Sequence, residues 1–338
     1  MKITKVLAGT VCGVILAASA MSCHHKSDDD TLEYMDGSLS YDLPVYMEAG
    51  TSIDLVPTGV TYGDDAKLPG IFWYTSENTT KDTTRLAGDP ASITGKFTLK
   101  IDEDFVGKLV VTCSAFADGY YLRTQSITTN VINEKSSLVL PDTIETYPVF
   151  TDDRDGRTYK YTSINGLDWF SRNLSYSGGF PALGTELLRS LFGTFYTWDE
   201  ARTACPDGWR LPGADDWKSL ATGLGANVSD NHGTFKDIAG RLMTDAYFNS
   251  EQIWEFNAKV KVTGDCGFDA LPTGYANIDG AASSFSDFTR YAVYWTAEEA
   301  DEEQAYYRYL YVASPDMNIA TGHKKSFAAP VRCVRESL

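Results

Sequence analysis

Short apolar runs alternate with turn residues over the first third of the mature chain. Leu43 to Met47 runs into Glu48-Ala49-Gly50, and Ile53 to Val56, Ile71 to Tyr74, Phe97 to Ile101 and Leu109 to Ala115 repeat the pattern. Their length and β-branched content predict strands. Asp118-Gly119 before Tyr120-Tyr121 predicts a hairpin into a last strand over Ser126 to Ile132. Further along, the periodicity changes. Trp198-Asp199-Glu200-Ala201 opens a predicted helix with acids in its first turn, and Trp217, Leu220 and Leu224 mark the apolar side of another. Tyr306 to Ala313 alternates as a strand, with Tyr307, Tyr309 and Tyr311 on one side.

The expected architecture is an all-β immunoglobulin-like domain over 39–134, then an α+β domain over 147–338, joined by a linker at 135–146. Trp73 falls where such a sandwich places its central tryptophan, and Cys113 where its later strand carries a cysteine. An early-strand partner is absent, so Cys113 reads as a small buried hydrophobe. No polar cluster converges in this first domain, which reads as a spacer.

The N-terminus changes the picture. Lys2 and Lys5 precede an uncharged stretch from Val6 to Met21, too short to span a bilayer, which reads as a secretion signal over 1–22. Ala20-Met21-Ser22-Cys23 resembles a bacterial lipobox, making Cys23 the lipid-bearing first residue of the mature chain. Residues 23–38 form an acidic tether, and Ser27-Asp28-Asp29-Asp30 resembles the export signal of Bacteroides surface lipoproteins. The expected location is the outer membrane, lipid-anchored and exposed at the cell surface. A formal net charge of −17 disfavours nucleic acid as a partner, because phosphate binding needs positive charge.

In the second domain, Asp152-Asp153-Arg154-Asp155-Gly156-Arg157, Ile164-Asn165-Gly166 and Trp169-Phe170-Ser171-Arg172-Asn173-Leu174 come first. Cys205-Pro206 then leads through Gly208-Trp209-Arg210-Leu211-Pro212 to Trp217. Gly267-Phe268, Ala270-Leu271-Pro272, Gly274, Tyr294-Trp295-Thr296 and Val331-Arg332-Cys333-Val334 complete the series. In this order the motifs resemble the Fibrobacter succinogenes major paralogous domain. That resemblance implies a C-type-lectin-like fold and says little about ligand. By the same analogy a Cys205–Cys333 bridge is expected, the alternative being two buried thiols. Cys266 is expected to be free.

Candidate chemistry is sparse. Glu298, Glu299, Asp301 and Glu302 are the densest acids. They suit either a solvated edge or oxygen ligands for Ca²⁺; otherwise neither cofactor nor metal is expected. His232 and His323 lie in polar segments without a nucleophile context, so the chain reads as a non-enzyme. The aromatic residues suggest binding: Trp254, Trp295, Tyr307, Tyr309 and Tyr311 are candidates to stack on a sugar or anchor a protein. The polar stretch Thr273 to Tyr291 reads as a long loop beside them. The expected function is an adhesin-like lipoprotein that binds an extracellular glycan or protein. A structural subunit of a surface or pilus assembly and a glycan-acting hydrolase are the alternatives.

Overall fold

A computed structural model describes residues 32–77, 83–87, 95–141, 147–280 and 282–337. The signal, Cys23 and the tether as far as Thr31 lie outside the described residues. The chain divides into two compact units after Asn133, and both are rich in strands. Among the described residues no helix is long and apolar enough to cross a membrane.

The first unit holds β1 (Asp36–Ser40), β2 (Tyr46–Glu48), β3 (Ser52–Leu55), β4 (Thr58–Thr61), β5 (Gly70–Glu77), β6 (Thr83–Ala87), β7 (Phe97–Lys100), β8 (Gly107–Phe116) and β9 (Arg123–Ile132). A five-stranded sheet runs in the order β2-β9-β8-β5-β6, with β1-β4 and β3-β7 as two further pairs. Trp73 and Cys113 pair across β5 and β8 in the core. The indole Nε1 of Trp73 donates to Gly95 O at 2.6 Å, which satisfies its polar edge. Cys113 is a free, buried thiol whose pKa burial pushes up to about 12. Residues 36–38, expected in the tether, belong to β1, because Met35 and Leu39 bury their side chains in this core.

The second unit begins earlier than expected. Leu138–Val139 forms β10 inside the expected linker, pairing with β16 (Tyr247–Phe248), which in turn pairs with β17 (Glu251–Gln252). β11 (Val149–Thr151), β12 (Thr158–Ile164), β13 (Leu167–Phe170) and β24 (Val334–Glu336) make a four-stranded sheet that joins the two ends of the unit. β14 (Phe180–Pro181), β15 (Thr194–Thr197), β23 (Phe327–Pro330), β18 (Tyr275–Asp279) and β19 (Ala282–Ser286) make another. β20 (Tyr291–Glu299), β21 (Gln304–Tyr311) and β22 (Met317–His323) form an antiparallel three-stranded sheet. The stretch expected as a loop is thus largely the β18–β19 hairpin. Its small polar residues suit a sheet edge but carry little strand propensity.

The sequence motifs become turns, caps and packing. Asp152, fully buried, accepts the Arg154 guanidinium through both carboxylate oxygens at 2.8 and 2.7 Å, closing the β11–β12 turn. Asn165 and Gly166, with φ of 51° and 82°, make the two-residue turn between β12 and β13. Thr197 and Glu200 form a capping box on the helix Trp198–Ala204. The helix Ala214–Gly223 buries Trp217 and Leu220, with Leu224 at its C-cap. Cys205 and Cys333 are bridged, tying the end of the first of these helices to the last strands.

Arg332 sits at the centre, with no exposed surface. Its Nε donates to Asn173 Oδ1 at 3.0 Å, Nη1 to Phe170 O at 2.9 Å and to Phe268 O, and Nη2 to Asp269 O at 3.1 Å. The guanidinium also lies 4.5 Å from the Phe268 ring centroid. Burial lowers the Arg332 pKa and raises that of nearby Asp269, whose Oδ2 accepts from Tyr147 at 3.1 Å. Replacing Arg332 by Met should strand these buried acceptors and cost about 3–5 kcal/mol in urea unfolding. Replacing both bridged cysteines by Ser should cost roughly 5 kcal/mol, given the sequence separation of 128. A loss under about 1 kcal/mol in either variant, the ordinary size of a surface change, would contradict these assignments.

Candidate functional site

The register of β20, β21 and β22 sorts their side chains onto two faces. Tyr291 pairs with Tyr311, Val293 with Tyr309 and Trp295 with Tyr307, and Tyr307 faces Ala320 on β22. The alternate residues Tyr294, Arg308 and Leu310 are buried, and Tyr294 packs against Trp217 and Phe268. On the opposite face Tyr291, Tyr307, Tyr309 and Tyr311 are only half-buried.

These tyrosines continue a row of rings. Tyr311 stacks on Tyr291 at 4.6 Å, Tyr291 lies 5.8 Å from Tyr309, and Tyr309 lies 6.0 Å from Tyr307. Tyr307 stacks on Phe327 at 4.9 Å, and Phe327 on Tyr275 at 5.1 Å. Side chains stand roughly perpendicular to a sheet, so stacked rings cover one another's faces. Gly322 makes room for the row: a Cβ there would approach Phe327 to 2.7 Å and Trp295 to 3.1 Å.

Trp295 projects from the same face, beside Tyr307. It has no exposed surface, meets Tyr307 and Phe327 edge-on at 6.1 and 5.3 Å, and donates from Nε1 to Tyr196 O at 2.8 Å. Its expected role as a ligand-stacking ring is corrected to that of a support. Trp254 is 3% exposed and lines a cleft of about 240 Å³, so it is reached only by a group that enters that cleft. The free aromatic ring there is Phe256, 88% exposed, which the sequence pattern did not single out. Arg290 lies between this cleft and the tyrosine row. It lies 5.7 Å from the Tyr311 centroid, donates from Nη2 to Tyr311 Oη at 3.2 Å, and pairs with Glu255 of the cleft at 3.7 Å.

The acidic run has structural partners. Glu298 Oε1 accepts from Ala214 N at 2.5 Å, capping the helix Ala214–Gly223. Asp301 Oδ1 accepts from Glu303 N and Gln304 N, both at 2.8 Å, shaping the turn into β21. Lys324 Nζ reaches Asp301 O at 2.7 Å, Glu302 O at 3.1 Å and Glu299 Oε2 at 3.0 Å. The expectation of Glu298, Glu299, Asp301 and Glu302 as joint calcium ligands is therefore corrected. An ammonium group lies among three of them, and no group of three or more metal-binding side chains gathers among the described residues. His232 packs against Tyr306 at 4.8 Å, and exposed His323 accepts from Lys325 N at 3.3 Å.

The model of the Fibrobacter succinogenes major domain matches residues 162–335, more than half of the chain. The chain belongs to that family. The tyrosine row lies within the matched Fibrobacter succinogenes major domain, as does the Arg332 cluster with all its hydrogen-bond partners. No curated protein matches the chain in sequence. Among solved structures, superoxide reductase (neelaredoxin) from Ignicoccus hospitalis and two substituted forms of it align at 13% identity. Each has a TM-score of 0.24 and covers 29% of this chain and 82% or 83% of the other. Similarity at this level carries no argument.

Burial pushes the Tyr307 pKa up to about 12 and raises those of Tyr275 and Tyr291. These phenols therefore stay neutral at physiological pH. A raised acid pKa favours the folded state below the ordinary tyrosine value of 10 and loses that contribution as pH climbs from 10 towards 12. Stability should fall across that window, and Tyr307→Phe should flatten the fall. An identical slope in the variant would contradict the burial of this phenol.

Proposed function

We propose that the protein is a lipoprotein, held by lipid on Cys23 at the outer surface of the cell, that binds an extracellular glycan. In this reading the first unit is an immunoglobulin-like spacer and the second a C-type-lectin-like binding domain. The observation that carries it is the row of half-buried tyrosines on β20 and β21. Its phenols, each both donor and acceptor, lie in a continuous run of aromatic rings, which suits a neutral polyhydroxylated chain. Supporting the surface location, the uncharged Val6 to Met21 stretch leads directly to Cys23 and an acidic leash.

The reading assigns no catalytic step and no cofactor. A hydrolase would need two free carboxylates across one sugar, whereas Glu298 and Asp301 are engaged in a cap and a turn. The alternative is a subunit of a surface assembly in which the same row meets a protein neighbour. What favours it is the outer edge of β22: Met317 bridges to Phe235, but Ile319 to His323 has no strand partner on that side among the described residues. Such an edge can accept another strand.

The lipid-free chain should give reproducible binding on a glycan array, with equal signal in calcium and in chelator. Tyr309→Ala should abolish it without changing the stability by more than about 1 kcal/mol, as expected for a half-exposed position. Silence across the array, together with self-association in sedimentation, would replace the glycan reading by the assembly one.

A further inference from the structure

Exposed apolar side chains are unevenly placed on the first unit. β5 begins at Gly70 opposite Phe116, and β8 ends there just before β9 begins at Arg123, so these three positions define one end of the main sheet. The chain enters the unit at the same end. Glu33 N donates to Gly119 O at 2.9 Å and accepts, through its carbonyl, from Tyr121 N at 2.8 Å. Leu32, Tyr34, Leu68, Phe116, Tyr121 and Leu122 are all exposed here, Tyr34 at 71% and Leu68 at 75%. Tyr34 and Tyr121 are in ring contact at 4.8 Å, and Tyr120 meets Tyr62 at 5.3 Å beside the turn that leads to Leu68. The chain leaves the unit at the far end of β9, beyond Ile132.

We propose that this end is a membrane-contacting surface that rests on the bilayer to which Cys23 is attached. The proposal relies on the lipid-anchor reading above. The length of the tether and the place where it meets the unit select the occupant: from Cys23 to Leu32 the chain spans at most about 30 Å when fully extended. It joins the unit at the apolar end, so the bilayer is held within reach of that face and away from the exit. Confinement of this kind raises the effective concentration of the surface far above that of any free partner. The side chains suit an interface, with tyrosines that have an apolar body and a polar tip beside leucines. An acidic chain gains nothing from anionic headgroups, so the contact is apolar and insensitive to salt. It would set the orientation of β9 relative to the membrane.

The test couples the mature chain, carrying Cys266→Ser, through Cys23 to a maleimide lipid. The vesicles contain phosphatidylethanolamine and phosphatidylcholine with brominated acyl chains. Two single-tryptophan additions report position: Tyr34→Trp at the apolar end, and Val45→Trp beside Asn130 towards the other end of β9. The added emission at position 34 should shift to the blue and lose intensity by bromine quenching, unchanged by salt, while position 45 shows neither. Adding Leu68→Ser and Leu122→Ser should return the position-34 signal to that of the free chain. Unquenched emission at position 34 would overturn the proposal. So would a blue shift without vesicles in a chain that sediments as a dimer, which would assign the face to a second copy. Because the tether is chemical, these outcomes do not depend on lipidation in the cell. Membrane fractionation of cells expressing Cys23→Ser reads that separately.

Discussion

Of the two guanidiniums fully buried among the described residues of the second unit, Arg308 and Arg332, it is Arg332 that ties the most distant segments together. A guanidinium held out of water is costly unless its donors are met and its charge balanced. Arg332 meets this demand with the side chain of Asn173 and the carbonyls of Phe170, Phe268 and Asp269. Those partners come from β13 and the segment after it, and from the Gly267-to-Gly274 segment, while Arg332 itself precedes the last strand. Segments far apart in sequence are thus fixed to one planar fork. The neighbouring Cys333 is bridged to Cys205, so the same short stretch also fixes the helix Trp198–Ala204.

This arrangement divides the unit into architecture and surface. The inner face of the β20–β22 sheet carries Tyr294, which lies 5.3 Å from Arg332, and packs on Trp217 and Phe268. The opposite face buries Val293, Trp295 and Ala305 in a second cluster and leaves Tyr291, Tyr307, Tyr309 and Tyr311 half-buried beside it. Most motif residues therefore serve the inner side or the turns. Tyr307, Tyr309 and Tyr311 lie outside the motifs that mark the family, which is consistent with one framework presenting different surfaces to different ligands.

Much of this was legible wherever a local rule acts alone. The helix bearing Trp217 and Leu220, the acids opening Trp198–Ala204 and the alternation of β21 follow from periodicity and dipole. The β-rich character of the first unit followed from its apolar runs, but β1, β4 and β6 did not. Asp36–Ser40 and Thr58–Thr61 are short and polar, and their pairing comes from the fold around them. The Cys205–Cys333 bridge came from family resemblance, since its partners lie 128 residues apart. The burial of Trp254 and Trp295 was not readable, because an aromatic residue in a strand pattern suits either face until the sheet's neighbours are known. Lys324 gave no signal at all. It meets the acidic turn only because β22 returns beside β21.

The Trp169-to-Leu174, Gly267-to-Gly274 and Val331-to-Val334 motifs meet at Arg332, and the most direct test is hydrogen exchange at its guanidinium, read by ¹⁵N NMR on the intact chain. If the network is as described, the Arg332 Nε–H, which donates to Asn173 Oδ1, exchanges only through global opening and far more slowly than that of exposed Arg202. It should also accelerate sharply in Asn173→Ala. Exchange of Arg332 at the rate of a solvent-facing arginine would contradict the account.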